Sequence, residues 1–252
     1  MRIQTITIDN FYPDPMRVRE FALSVGWHQP YQKDNGNIKT NTAQKADKTW
    51  LTTNKVDIAP TIFHSDKMIS VLESVTGDDI DRQAWKERPT RWNGLFHVKT
   101  HDQFESCLDS DYNPHQHAGI HSHTIDNSNS TGADGWAGII YLNPNAAPAA
   151  GLTTWRPKTV VEDSFWTIHF THENFEKIDT IGNTFNRLIL ARGDIWHSGA
   201  AGWGDSLSTG RMFQTFFFRS LGPSKVKKDF KLTSDDLPQP KKPELSVVSK
   251  SI

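Results

Sequence analysis

His121-Ser122-His123-Thr124-Ile125-Asp126 and Gly193-Asp194-Ile195-Trp196-His197 stand about seventy residues apart, with Trp136-Ala137-Gly138-Ile139-Ile140-Tyr141-Leu142 between them. The intervening run is short, apolar and rich in β-branched and aromatic residues, so it reads as a buried strand. Residues i and i+2 of a strand face the same way, which lets His121 and His123 aim their imidazoles at one point. Gly193-Asp194 is turn chemistry that releases a strand and presents His197 at its start. Two ligands from one strand edge and a third from a distant strand brought alongside form the order that a mononuclear metal site on a β-scaffold needs.

Outward from these stretches, the pattern predicts an α+β domain with an antiparallel β core. Ile3 to Ile8 alternates branched apolar and polar residues, as a short strand does. Asp14 caps a helix with Pro15 at its first position, and Val18, Phe21, Ala22 and Val25 keep a helical period up to Gly26. A second amphipathic helix is expected from Pro60 through Val75, with Ile62, Phe63, Met68, Ile69 and Leu72 inward. Strands are expected at Gly94–Thr100, Trp136–Leu142, Leu152–Arg156, Arg187–Ala191 and Met212–Arg219. Residues 32–48 read as an exposed loop, 162–180 as mixed with a helix around His172 to Ile178, and 127–135 as a lid or substrate loop. One domain is expected over 1–221, followed by a mobile tail over 222–252, rich in Lys, Pro, Ser and Asp.

Composition bounds the function classes. With 28 Lys plus Arg against 29 Asp plus Glu, charge favours neither nucleic acid nor a membrane surface. One cysteine, Cys107, excludes an intramolecular disulfide framework and fits a reducing compartment. The N-terminus lacks the apolar segment of a signal peptide and no run reaches membrane-spanning length, so a cytoplasmic, soluble protein is expected.

The metal ligands admit two sets. Imidazole suits Fe, Zn, Cu and Ni, and two histidines with a carboxylate and open positions is the non-haem Fe(II) arrangement. One set is His121, His123 and His197; the other is His123 or His121 with Asp126 and His197, which needs a bulge because Asp126 lies three residues past His123. His115 and His117 read as lining or supporting residues, and His101, His169 and His172 as surface or loop histidines. Arg211 opens the apolar run Arg211-Met212-Phe213-Gln214-Thr215-Phe216-Phe217-Phe218. A cation there is costly unless it meets an acidic side chain or an anionic ligand, and guanidinium clamps a carboxylate bidentately. Tyr141 and Thr215 are further donors to the same anion, Trp136, Trp155 and Trp196 are candidate pocket walls or core residues, and Arg187 reads as structural.

Together these residues resemble the iron(II)/2-oxoglutarate-dependent oxygenases, particularly the prolyl-hydroxylase-like branch. The likeness runs through 121–126, Ile140-Tyr141-Leu142-Asn143, Ala150-Gly151-Leu152-Thr153, Asn186-Arg187-Leu188-Ile189-Leu190, Gly193 to Ser198 and Arg211 to Phe217. The opening Ile8-Asp9-Asn10-Phe11-Tyr12-Pro13-Asp14-Pro15 with Arg17 to Ala22 is similar to the start of a phage and bacterial hydroxylase subgroup, which implies a phage-encoded protein acting in a host cell.

The resemblance implies a double-stranded β-helix, or jelly-roll, with N-terminal helices packed on one sheet. It implies an enzyme, a dioxygenase with Fe(II) as cofactor, 2-oxoglutarate as co-substrate, and an unidentified substrate hydroxylated, a peptidyl proline among the candidates. His121 matches the first histidine of the family's H-x-D…H triad, His197 the distal one, and Arg211 the group that binds the distal carboxylate of 2-oxoglutarate, with Tyr141 and Thr215 beside it. The departure is His123, which stands where H-x-D has its aspartate. Two further readings follow from that departure: a cupin-like three-histidine metalloprotein that does not use 2-oxoglutarate, and a non-catalytic binding module on the same scaffold.

Overall fold

A computed structural model describes residues 4–28, 50–87, 93–100, 119–124, 131–146, 148–159, 173–200 and 202–242. Within them the strands are β1 (Thr5–Ile8), β2 (Trp27–His28), β3 (Trp50–Thr53), β4 (Asp78–Ile80), β5 (Phe96–Lys99), β6 (Trp136–Tyr141), β7 (Leu152–Pro157), β8 (Phe175–Ile181), β9 (Leu188–Arg192), β10 (Trp196–Gly199), β11 (Arg211–Phe218) and β12 (Ser220–Pro223). Seven form one sheet in the order β1-β9-β6-β11-β5-β3-β2, three form a second in the order β10-β7-β8, and β12 pairs with β4. Every pairing between these strands is antiparallel. The class is α+β with a sandwich-like sheet arrangement.

Strand alternation explains the layering. Ile140, Leu142, Leu188, Leu190, Met212 and Phe216 join one core cluster with Val18 and Phe21 of the helix Pro15–Ser24 and Met68, Ile69 and Leu72 of the helix Asp66–Thr76. Their sequence neighbours Tyr141, Ile189, Ala191 and Phe213 point the other way, into a second cluster with Leu152 of β7 and Ile181 of β8. The large sheet is therefore covered by helices on one face and by the small sheet on the other. Each such buried side chain stabilises the fold by about 1.5–3 kcal/mol relative to exposure. Tyr12 locks the helical side by donating to Gln214, whose own amide donates to the Gly94 carbonyl at 2.8 Å.

The helix boundaries follow from their caps. Asp14 accepts from the Arg17 amide at 3.0 Å, ahead of Pro15. The second helix begins at Asp66 rather than Pro60, because extended Ser65 caps the Met68 amide at 3.3 Å and residues 62–64 form a separate 3-10 turn. It ends at left-handed Gly77, φ 71°.

Two expectations are corrected. The helix expected around His172 to Ile178 is strand β8, whose pairing with β7 across a bulge overrides its polar, exposed sequence. The segment expected as a tail from 222 is tied to the fold as far as 242: Leu232 and Leu237 are buried in the helical core, and Lys228 bridges Glu73 at 3.1 Å and Asp79 at 2.5 Å. Residues 243–252, the 32–48 loop, residues 161–172 and residues 127–130 of the expected 127–135 lid lie outside the described residues. Among the described residues no helix is long and apolar enough to cross a membrane.

Candidate metal centre

The small sheet gains an edge where the two opening stretches meet. His121 and His197 form an antiparallel bridge, the His121 amide donating to the His197 carbonyl at 3.0 Å and the reverse bond closing at 2.9 Å. His123 extends the contact by donating from its amide to the Gly193 carbonyl at 2.7 Å. Gly193 is required here, because a Cβ would lie 1.9 Å from the Gly132 carbonyl oxygen. The other edge of β10 pairs with β7, His197 opposite Thr154.

This backbone frame brings three imidazoles together. Ring centroids are 4.6 Å apart for His121 and His197, 5.1 Å for His121 and His123, and 5.2 Å for His123 and His197. One ligand atom from each lies within 4.8 Å of the other two. His121 Nδ1 is 3.0 Å from the Gly119 carbonyl and His197 Nδ1 is 2.8 Å from the Ile195 carbonyl. A carbonyl only accepts, so Nδ1 donates in both rings and each Nε2 is left with its lone pair for a metal. Burial holds the His197 pKa down at about 3, with His121 adding to the effect and the Ile195 hydrogen bond opposing it. Burial, then His121 and His197, push His123 well below its ordinary value. His123 and His197 are therefore held towards the neutral, ligating form.

The inner face of β11 runs from this cluster to the arginine. His123 packs edge-on to Phe217 with centroids 5.1 Å apart, and Thr215, Phe213 and Arg211 follow at every second residue. Arg211 is 2% exposed, its guanidinium carbon 4.6 Å from the Phe213 ring centre and 5.6 Å from that of Tyr141. On the facing sheet it meets Gly199, where a Cβ would stand 3.3 Å from its Nη2. Gly199 is two residues beyond His197 on β10, a rise of about 7 Å. The Tyr141 hydroxyl is buried without a hydrogen-bond partner among the described residues. Burial raises its pKa, and the neighbouring Arg211 charge opposes that rise.

Of the residues singled out in the sequence, the structure brings His121, His123 and His197 together and places Arg211, Tyr141 and Thr215 on the adjoining face. Asp126, His101, His115, His117, His169 and His172 lie outside the described residues. The three tryptophans do not wall this face. Trp136 is buried in the helical core, and Trp155 and Trp196 pack with Ile120 and Phe175 on the opposite side of β10 from His197. Arg187 is structural, paired with Asp9 at 2.6 Å. Sequence reasoning missed His97 and Lys99 of β5; alternation with buried Phe96 and Val98 is the signal that turns both toward the site face.

No protein-family model and no curated protein matches this chain.

A divalent transition metal fits what is present: three converging nitrogen donors, two of them with the tautomer set by a backbone carbonyl.

Proposed function

We propose that this chain is an Fe(II)- and 2-oxoglutarate-dependent oxygenase on a double-stranded β-helix scaffold, hydroxylating a substrate such as a peptidyl proline. The observation that carries the reading is the pairing of two features along β10: at His197, three histidines with ligand atoms within 4.8 Å of one another, and at Gly199 a buried arginine packed on the same strand. The facing antiparallel sheets, with the histidines at the edge of the smaller one, support the scaffold.

His121, His123 and His197 would hold the metal through three nitrogen donors, with positions left for exogenous ligands. Iron(II), when bound, supplies dioxygen activation coupled to oxidative decarboxylation of the 2-oxo acid to succinate and carbon dioxide. Arg211 clamps the distal carboxylate, with the Tyr141 hydroxyl as a second donor. Phe213 and Phe217, between the clamp and the histidines on β11, would exclude water there and strengthen both interactions.

A three-histidine metalloprotein that does not use 2-oxoglutarate is the second reading, favoured by His123 standing where the family has a carboxylate. Aerobic incubation with Fe(II) and 2-oxoglutarate separates the two. The wild type should form succinate, His197→Ala should lose both bound iron and turnover, and Arg211→Ala should keep the iron and lose 2-oxoglutarate turnover. Succinate formation that persists unchanged in both variants would sink the assignment, and bound iron with no succinate would favour the second reading.

A further inference from the structure

Trp50 of β3, His97 of β5 and Thr215 of β11 are joined across neighbouring strands by two hydrogen bonds. Trp50 Nε1 lies 3.2 Å from His97 Nδ1, and His97 Nε2 lies 3.0 Å from Thr215 Oγ1. An indole N–H only donates, so Nδ1 of His97 accepts. The neutral ring then carries its proton on Nε2 and donates to Thr215. Thr215 Oγ1 accepts that bond, and its own proton is turned away from His97.

The direction matters because of where Thr215 stands. On the inner face of β11 it lies between Phe213, which carries the Arg211 guanidinium 4.6 Å from its ring centre, and Phe217, which packs on His123. Thr215 thus occupies the rank between the clamp and the histidines. His97 is fixed there by stacking on Phe213, centroids 5.2 Å apart and planes at 26°. It is 1% exposed, and burial, with Lys99 and Arg211 adding to it, holds its pKa at about 3. The ring is therefore held in its neutral form.

We infer that His97, oriented by Trp50, is a positioning residue: it sets the Thr215 hydroxyl as a donor to the carboxylate held by Arg211, and so makes the site prefer a dicarboxylic 2-oxo acid over a monocarboxylic one. This rests on the reading of Arg211 as a clamp for 2-oxoglutarate. His97 touches neither metal nor ligand; its effect passes through Thr215.

Two probes isolate that effect. 2-Oxoglutarate and pyruvate share the 2-oxo acid end that meets the metal, and only the first has a distal carboxylate. Both are titrated calorimetrically, without oxygen, into the metal-loaded full-length chain. Loss of one hydrogen bond to a charged group corresponds to about tenfold or more in affinity. His97→Phe should therefore weaken 2-oxoglutarate about tenfold and leave pyruvate within about twofold. Thr215→Val should do the same, the double variant should be no worse than either single one, and His97→Gln should restore part of the loss. A variant at His97 that weakens both ligands equally would reduce the residue to a structural role and overturn the inference. So would Thr215→Val with wild-type affinity for 2-oxoglutarate. A wild type that binds pyruvate as tightly as 2-oxoglutarate would overturn the clamp reading itself, which distinguishes the two failures.

Discussion

Gly199 is the smallest residue at the site and one of the most constrained. A Cβ there would stand 3.3 Å from Arg211 Nη2, tighter than ordinary contact, and a branched side chain would push the guanidinium off its shelf over Phe213. If Arg211 is the carboxylate clamp proposed above, Gly199→Val should weaken 2-oxoglutarate binding about tenfold or more while leaving bound metal unchanged. Calorimetric titration beside metal analysis checks this, and equal loss of metal and ligand would mean that the strand, rather than the clamp, had been disturbed. At the histidines the expectation is larger. Because disturbing even an outer partner of a ligating histidine costs roughly 10–100-fold in metal affinity, His121→Ala should cost at least that much in competition with a chelator. The site was largely legible at this scale. His-x-His on a strand, a turn-released His197 and a cation opening an apolar strand each carry a distinct chemical demand, and the three demands converge in space. His97 was not legible, because one histidine in a strand is ordinary core until a tryptophan and a threonine from two other strands are known to bond it.

Elements were legible where their residues alone decide them. β6, β9 and β11 are dense in β-branched and aromatic residues and buried on both faces, so the expected and observed strands nearly coincide. β8 was not, since most of it is exposed and only its hydrogen bonds to β7 make it a strand. The segment after β12 was misread for a related reason. Its composition is polar, and its order comes from a few apolar anchors and lysines that meet acids far away in sequence, Lys228 with Glu73 and Lys67 with Asp236. Leu237, 2% exposed, is the anchor that tests this. Leu237→Ala should destabilise the fold by about 2–5 kcal/mol, the usual range for emptying a buried leucine site, in urea-melt midpoints. A change of only a few tenths of a kcal/mol would mean that the segment lies on the core without contributing to it. Ser65→Ala, which removes the cap on Met68, should cost about 1 kcal/mol in the same measurement.

At the scale of the whole molecule, the three layers bury histidines that resist protonation on both faces of the large sheet. His97 lies on the inner face, and His64, against the helical core, has its pKa pulled to about 4 by burial and by the Lys55 charge, against a hydrogen bond that its ring donates to the Asn93 backbone. His64 Nε2 is buried with no hydrogen-bond partner among the described residues, so a proton placed there meets no acceptor. The sign of the resulting pH dependence follows from linkage. Unfolded histidine takes up its proton near pH 6.5, whereas folded His64 resists until about 4 and folded His97 until about 3. Between those limits the unfolded chain binds more protons, so stability is fully present above pH 6.5 and is lost as pH falls towards 4. Each such histidine contributes a slope of about 1.4 kcal/mol per pH unit inside the window. Urea melts of metal-free protein between pH 7.5 and 4.5 should therefore be flat above 6.5 and fall steadily below it. His64→Gln removes one titrating group and should lower the slope by that one increment while leaving His97 and the site untouched. An unchanged slope in that variant would mean that His64 is already protonated in the folded protein, and that the acid sensitivity belongs to the inner face alone.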